Sequence, residues 1–113
     1  MEAVILECGD FPKKEYPREL LRRADVIICC DRALDTFLRH RDKIFKDLRD
    51  PDAIIGDMDS ISPKHLKEYS RIAIREEEQE TNDQTQAIRY LLEHWPEVKT
   101  VHILGATGKR EAH

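Results

Sequence analysis

Short apolar runs rich in Val and Ile alternate along this chain with segments that have helical spacing. The runs are residues 3–8, 26–30, 53–55, 72–74 and 101–104, and the helical segments are 17–23, 33–39, 63–69 and 83–94. Such short runs are typical of strands buried on both faces of a parallel sheet. Their alternation with helices predicts an α/β fold, a Rossmann-like parallel sheet with right-handed crossovers and helices on both faces.

Start and stop signals support the helical segments. Ser62 followed by Pro63 predicts a helix start, because the first helical position needs no N–H group. Thr81 or Asn82 is expected to cap the helix that begins at Asp83, and Pro96 prevents that helix from continuing. In this last helix, Ala87, Ile88, Leu91 and Leu92 fall on one apolar face by the 3.6-residue period.

Composition limits the classes of protein to which the chain can belong. Its 113 residues, 40% hydrophobic and 37% charged, are enough for one small domain. Because the net charge is −4 and the basic residues are scattered among acidic ones, we expect no nucleic-acid partner. No apolar run approaches the roughly 20 residues of a membrane span, and no secretory signal is present, so we expect no membrane association.

The cysteines predict a reducing compartment. Cys8, Cys29 and Cys30 are odd in number and lie in or beside apolar runs. Reduced thiols packed in the core explain this pattern better than disulfides or a metal site. We therefore expect a cytoplasmic protein.

The polar residues that follow each predicted strand are expected to meet at one edge of the sheet. Ligands of open α/β sheets bind outside the carboxyl ends of the strands. The five runs are followed in turn by Gly9 and Asp10, by Asp31, by residues 56–60, by the largely acidic segment 76–83, and by residues 105–113. The sequence therefore places a candidate site at this edge.

Asp57 and Asp59 are the most informative pair in the chain. They follow a buried strand and are separated by one residue. Two carboxylates that point into one crevice repel each other unless a cation lies between them. Mg²⁺ is commonly held in this way by one or two carboxylates, waters and substrate phosphates. The alternative is a simple turn in which Asp59 or Ser60 caps the next helix.

Two further segments carry weaker signals. The acidic cluster contains Glu76, Glu77, Glu78, Glu80 and Asp83 and is either a solvated surface or the completion of a cation site. In residues 105–110, glycines allow close approach to phosphate while Lys109 and Arg110 supply positive charge, although the Walker spacing is absent and a plain turn fits equally. His40, His65, His94 and His102 show no partner spacing and are interpreted as surface or packing residues.

These segments together resemble thiamin pyrophosphokinases across essentially the whole chain. Gly56, Asp57, Asp59, Ser60 and Ile61 match the Gly-Asp-x-Asp-Ser-Ile motif of that family, and Pro51 and Asp52 precede it as they often do there. Residues 81–87 resemble its acidic helix start, in which Asp83 matches the second Asp and Glu80 replaces the first. Gly105, Gly108, Arg110 and His113 match its closing glycine-rich segment.

The resemblance implies Mg²⁺-dependent transfer of pyrophosphate from ATP to thiamin, which gives thiamin diphosphate and AMP. It implies catalytic roles for Asp57, Asp59, Asp83 and Arg110, with Mg²⁺ held by Asp57, Asp59, Glu80 and Asp83. Nucleotide contacts are expected at Gly9, Asp31, Ser60, Gly105, Gly108, Lys109 and His113. The sequence departs from the family pattern at Arg32, Ala33, Thr85, Lys109 and Ala112.

Length gives a further expectation. Members of the family add a β-sandwich domain and bind thiamin between domains of a homodimer. We therefore expect residues 1–113 to be an incomplete nucleotide-binding catalytic domain that lacks the thiamin-binding domain. Two alternatives stay open: a haloacid-dehalogenase-like phosphatase with Asp57 as nucleophile, and a non-catalytic nucleotide-binding or dimerisation half-domain.

Overall fold

A five-stranded parallel sheet forms the centre of the molecule in the computed structural model, which describes residues 1–7, 14–45, 47, 49–56, 61–75 and 83–105. The elements in chain order are β1 (Glu2–Leu6), α1 (Glu15–Arg23), β2 (Val26–Cys30), α2 (Ala33–Ile44), β3 (Ala53–Gly56), α3 (Pro63–Glu68), β4 (Ala73–Arg75), α4 (Asp83–His94) and β5 (Thr100–Leu104). The predicted α/β fold is confirmed.

The strand order is β4-β3-β2-β1-β5, and every pairing is parallel. The chain adds β2, β3 and β4 on one side of β1 and then places β5 on the other side. The order therefore reverses between β1 and β5. Such a reversal opens a crevice outside the carboxyl ends of the two strands, where ligands of this fold class bind.

Alternate residues of the strands pack on opposite faces of the sheet. On one face Val4, Ile27 and Ile54 lie in a buried cluster with Leu21 of α1 and Phe37 of α2. The other face is covered by α4. There, Ile5, Ile28 and Ile55 pack with Ala87 and Leu91. This arrangement explains why the strands read as continuous apolar runs rather than as alternating ones.

Element boundaries differ from the predictions by a few residues. β1 begins at Glu2 and ends at Leu6, so the run predicted to reach Cys8 was too long, and Cys8 lies outside the described residues. A 3₁₀ turn over Ser70–Ile72 follows α3 and delays the start of β4 to Ala73. The start of α3 at Pro63 is confirmed. Thr81 and Asn82, the predicted caps of α4, lie outside the described residues.

Cys29 and Cys30 are reduced thiols buried in β2, as the sequence predicted. Burial, aided by the negative charge of Asp52, raises the pKa of the Cys29 thiol far above its ordinary range. Such a thiol has little of the thiolate character that reactivity requires. Within the described ranges, no helix combines the length and apolar character needed to cross a membrane.

Asp52 ties the start of β3 to β2. Its carboxylate Oδ2 accepts the N–H of Ile27 at 2.8 Å, and its own N–H donates to the carbonyl oxygen of Ile27 at 2.8 Å. Arg49 donates to Asp52 at 3.2 Å and to the carbonyl oxygen of Asp25 at 3.0 Å. These bonds fix the amino-terminal end of β3. Because β3 has only four residues, they also help to fix the position of Gly56 at its carboxyl end.

Candidate functional site

Asp31 and Gly56 meet at the carboxyl ends of the neighbouring strands β2 and β3. A Cβ atom added to Gly56 would lie 1.9 Å from Oδ1 of Asp31 and 2.4 Å from its Cγ. The backbone at Gly56 has φ +147°, a conformation that residues with side chains rarely adopt. Only glycine therefore fits at this position, and the reason is the Asp31 carboxylate that occupies the space of a side chain.

The backbone around Asp31 holds this carboxylate in place. Asp31 has φ 48°, in the left-handed region where Asp is tolerated better than most residues. Its N–H donates to the carbonyl oxygen of Ile55 at 2.9 Å, and its own carbonyl oxygen accepts the N–H of Leu34 at 3.2 Å. Asp31 is only 8% exposed. It therefore forms a rigid corner between β2 and α2, pressed against the last residue of β3.

Gly105 and Glu7 lie at the reversal of strand order, at the carboxyl ends of β5 and β1. The N–H of Glu7 donates to the carbonyl oxygen of Leu104 at 2.8 Å. Gly105 then turns the chain with φ 79°. Three interstrand spacings separate β3 from β5, which places Gly56 roughly 14 Å from Gly105 along the edge. The two glycines thus lie well apart along the carboxyl edge of the sheet, Gly56 on β3 and Gly105 after the edge strand β5.

α4 begins at the backbone of Asp83, which lies toward the same carboxyl edge of the sheet as Gly56 and Gly105. Lys99, just after this helix, donates its N–H to the carbonyl oxygen of Met1 at the amino-terminal edge. α4 connects β4 to β5 across one face of the sheet, and its carboxyl-terminal end is the one that leads to Lys99. Its amino-terminal end, at Asp83, therefore lies toward the carboxyl edge of the sheet. Asp83 is therefore on the side of the sheet where Asp31, Gly56 and Gly105 lie.

A polar cleft of about 480 Å³ separates α2 from the start of α3. Its lining includes Asp35, Arg39, Ser62 and His65. Asp35 hydrogen-bonds Nδ1 of His65, and its Oδ2 accepts the N–H of Ser62 at 3.1 Å. The sequence analysis missed this arrangement, since it found no partner spacing for His65. Asp35 and His65 are 30 residues apart, so no local pattern pairs them.

Comparison with protein families gives a match to the thiamin pyrophosphokinase catalytic domain over residues 17–113. This match covers most of the chain. The chain belongs to the thiamin pyrophosphokinase catalytic domain family. Comparison with curated protein sequences gives no significant match.

Solved structures agree in fold with this catalytic domain. Yeast thiamin pyrophosphokinase is 21% identical with a TM-score of 0.70, and the match covers 85% of this chain and 32% of that one. The enzyme from Candida albicans is 25% identical with a TM-score of 0.66, over 83% of this chain and 32% of that one. A family protein from Enterococcus faecalis is 22% identical with a TM-score of 0.68, over 97% and 49%. The chain therefore spans a third to a half of the length of these structures.

The described part of this thiamin pyrophosphokinase catalytic domain contains a minority of the predicted site residues. Asp31, Gly105 and the backbone of Asp83 share the carboxyl edge. The other predicted residues lie outside the described ranges: Gly9, Asp57, Asp59, Ser60, Glu80, Gly108, Lys109, Arg110 and His113. Among the described residues, no three His, Cys, Asp or Glu side chains gather as metal ligands. The ligand sets predicted from the sequence thus stay predictions.

Proposed function

We propose that this chain binds Mg²⁺-ATP and forms the nucleotide half of an enzyme that transfers pyrophosphate from ATP to thiamin. One observation carries the proposal: the buried Asp31 carboxylate lies against Gly56, the first residue of the Gly-Asp-x-Asp-Ser-Ile motif. Asp31, a predicted nucleotide contact, is thereby adjacent to the start of the predicted metal-binding segment. The family match supports the same assignment.

The donor chemistry of these residues fits Mg²⁺. Carboxylate oxygens are the protein ligands that this hard cation prefers. Asp57 and Asp59, which follow Gly56 directly, are the proposed ligands together with Glu80 and Asp83. Asp31 adds a carboxylate at the same edge, and this raises the local negative charge that a divalent cation neutralises. When bound, Mg²⁺ would supply charge neutralisation at the phosphate oxygens.

The remaining predicted residues have roles at the phosphates. Gly9, Gly105 and Gly108 are proposed to let the backbone approach the nucleotide, with Ser60, Lys109 and His113 as polar contacts. Arg110 is proposed to stabilise the negative charge that develops during transfer. Gly105 supports this arrangement, because its left-handed backbone turns the chain at the reversal of strand order.

The proposed reaction needs positioning more than covalent help from the protein. The thiamin hydroxyl oxygen forms a bond to the β-phosphorus of ATP, and the bond between that phosphorus and the oxygen bridging to the α-phosphate breaks. AMP leaves with the electron pair of that bond, and the hydroxyl proton passes to solvent. In the whole protein we expect this to occur in a cytoplasmic homodimer.

Isothermal titration of the chain with ATP in the presence of Mg²⁺ tests the proposal. We expect binding that disappears when Mg²⁺ is chelated and in the variant Asp57→Asn. Asp42→Asn is the matched control, because it removes one carboxylate from the exposed side of α2 and should bind as the unmodified chain does. Equal affinity of Asp57→Asn and the unmodified chain would contradict the metal assignment.

A non-catalytic nucleotide-binding half-domain is the second candidate. The chain spans only 32% of yeast thiamin pyrophosphokinase and 49% of the Enterococcus protein. Titration with thiamin separates the two candidates. A half-site binds Mg²⁺-ATP, ignores thiamin and releases no AMP, whereas a complete active centre produces AMP when both substrates are present.

A further inference from the structure

Asp35 joins the first turn of α2 to the start of α3. Its Oδ2 accepts the N–H of Ser62 at 3.1 Å, and its Oδ1 is hydrogen-bonded to Nδ1 of His65. These partners lie 27 and 30 residues further along the chain, so both contacts are tertiary. The Asp35 and His65 side chains are 20% and 28% exposed. The pair is thus part-buried, with a fraction of each side chain facing the polar cleft.

The contact acts on the backbone rather than on a side chain. Ser62 is the N-cap residue of α3, yet its own side chain makes no capping hydrogen bond. Asp35 instead binds the backbone N–H of Ser62, while the preceding residue, Ile61, is buried with only 4% exposure. The chain is therefore fixed at Ile61, the last residue of the Gly-Asp-x-Asp-Ser-Ile motif, and at Ser62, which follows it.

The other end of the motif is fixed from the same short stretch of chain. Asp31, four residues before Asp35, packs against Gly56. Asp31, two residues before α2, and Asp35, in the first turn of α2, thus contact both flanks of residues 57–60. His65 contributes by holding one oxygen of the Asp35 carboxylate, which leaves the other directed at Ser62.

We propose that Asp35, oriented by His65, is a positioning residue that fixes the backbone at Ser62 and thereby strengthens the binding of Mg²⁺-ATP by the adjoining acidic motif. This inference rests on the proposed function. Asp35 itself touches neither metal nor nucleotide in this scheme. Its effect passes through the orientation of the chain at the end of the motif, where a small displacement weakens a coordinated ligand.

Two variants separate the hydrogen bond from the charge. Asp35→Ala removes both, whereas Asp35→Asn keeps an amide oxygen that can accept the N–H of Ser62. Asp42→Ala is the matched control, because it removes one negative charge from the same helix at an exposed position. All variants are compared at a temperature at which circular dichroism shows them folded.

Amide hydrogen exchange at Ser62 and titration with Mg²⁺-ATP are the two measurements. In Asp35→Ala we expect exchange at Ser62 to accelerate by about tenfold, and the Kd for Mg²⁺-ATP to rise by about tenfold, which equals about 1.4 kcal/mol. Asp35→Asn should restore both values to within about threefold of the unmodified chain. His65→Ala should shift both in the same direction as Asp35→Ala, by a smaller factor.

Three results would overturn the inference. The first is unchanged Mg²⁺-ATP affinity in folded Asp35→Ala, which would leave Asp35 a purely structural residue. The second is an equal loss in Asp35→Ala and Asp42→Ala, which would indicate a general effect of charge. The third is an absence of Mg²⁺-ATP binding by the unmodified chain, which removes the proposed function as well; exchange at Ser62 then still reports on the hydrogen bond alone.

Discussion

Gly56→Ala is the substitution for which the structure gives the most definite consequence. The new Cβ would lie 1.9 Å from Oδ1 and 2.7 Å from Oδ2 of Asp31, whereas ordinary contact begins at 3.4 Å. The Asp31 carboxylate would have to move by about 1.5 Å. Because Asp31 is buried and held in a left-handed backbone conformation, it has little room to do so.

Two costs combine in this variant. Overpacking of a buried site costs about 1–3 kcal/mol, and a non-glycine residue at φ +147° costs about 1–3 kcal/mol of backbone strain. We therefore expect the free energy of unfolding to fall by about 2–6 kcal/mol. This is a large part of the roughly 5–15 kcal/mol that stabilises a typical domain.

Urea denaturation followed by circular dichroism measures this loss. With a slope of about 1.5 kcal/mol per molar urea, a loss of about 3 kcal/mol lowers the midpoint by about 2 M. A double-mutant cycle with Asp31→Ala separates the two costs, since that substitution removes the carboxylate but leaves the conformation of Gly56 unchanged.

The cycle also decides whether the reasoning is right. If the carboxylate causes the overpacking, the double variant is more stable than the sum of the single effects by about 1–3 kcal/mol. Additivity within about 0.5 kcal/mol would refute the role assigned to Asp31. A loss below about 0.5 kcal/mol in Gly56→Ala alone would refute both terms.

Three further predictions concern the rest of the fold. Asp52→Ala should lower the free energy of unfolding by about 1–3 kcal/mol in urea denaturation, because the N–H of Ile27 loses a charged acceptor; no loss would contradict the role of Asp52. Burial raises the pKa of the Cys29 thiol, so Cys29 should resist iodoacetamide in the folded chain up to pH 9 and react once urea unfolds the chain. Peptide mass mapping measures the labelling. Rapid labelling of Cys29 in the folded chain would be inconsistent with a buried strand. Hydrogen bonding to His102 lowers the folded pKa of Glu2, so its stabilising effect is complete above the ordinary pKa of the carboxyl and is lost as the pH falls through the lowered value. Glu2→Gln should therefore be less stable than the unmodified chain at pH 7, and urea denaturation should show this difference shrinking as the pH is lowered; a difference that does not change with pH would contradict this linkage.

Hydrophobic pattern was sufficient to predict the sheet and its helices. The run 26–30 is apolar at every position because both faces of β2 are covered, and this is the pattern that distinguishes a buried parallel strand. Boundaries were less predictable. β4 begins one residue later than expected, because a 3₁₀ turn over Ser70–Ile72 contains Ile72, which the pattern assigned to the strand.

The sequence predicted the edge of the sheet at which the site residues lie, but not which of these residues contact one another. Strand ends identify the edge at which Asp31, Gly56 and Gly105 lie, since that edge follows from topology alone. Sequence reasoning also identified Gly56 as a motif residue, but it gave no reason for the glycine there. The reason is the Asp31 carboxylate, which follows a different strand and lies against Gly56. Nothing in the sequence near Gly56 indicates that these two residues are in contact.

The pair of Asp35 and His65 shows why tertiary partners escape such reasoning and why they matter. Each residue taken alone is typical of a helix surface, and the pair exists only because α2 and α3 lie side by side on one face of the sheet. Asp31 and Asp35 then contact the chain on either side of residues 57–60 from one short stretch around the start of α2. If the acidic motif needs a fixed geometry to bind a cation, that geometry depends on α2 as much as on the motif itself. Substitutions at the start of α2 should accordingly alter metal-dependent binding even where they leave every proposed ligand in place.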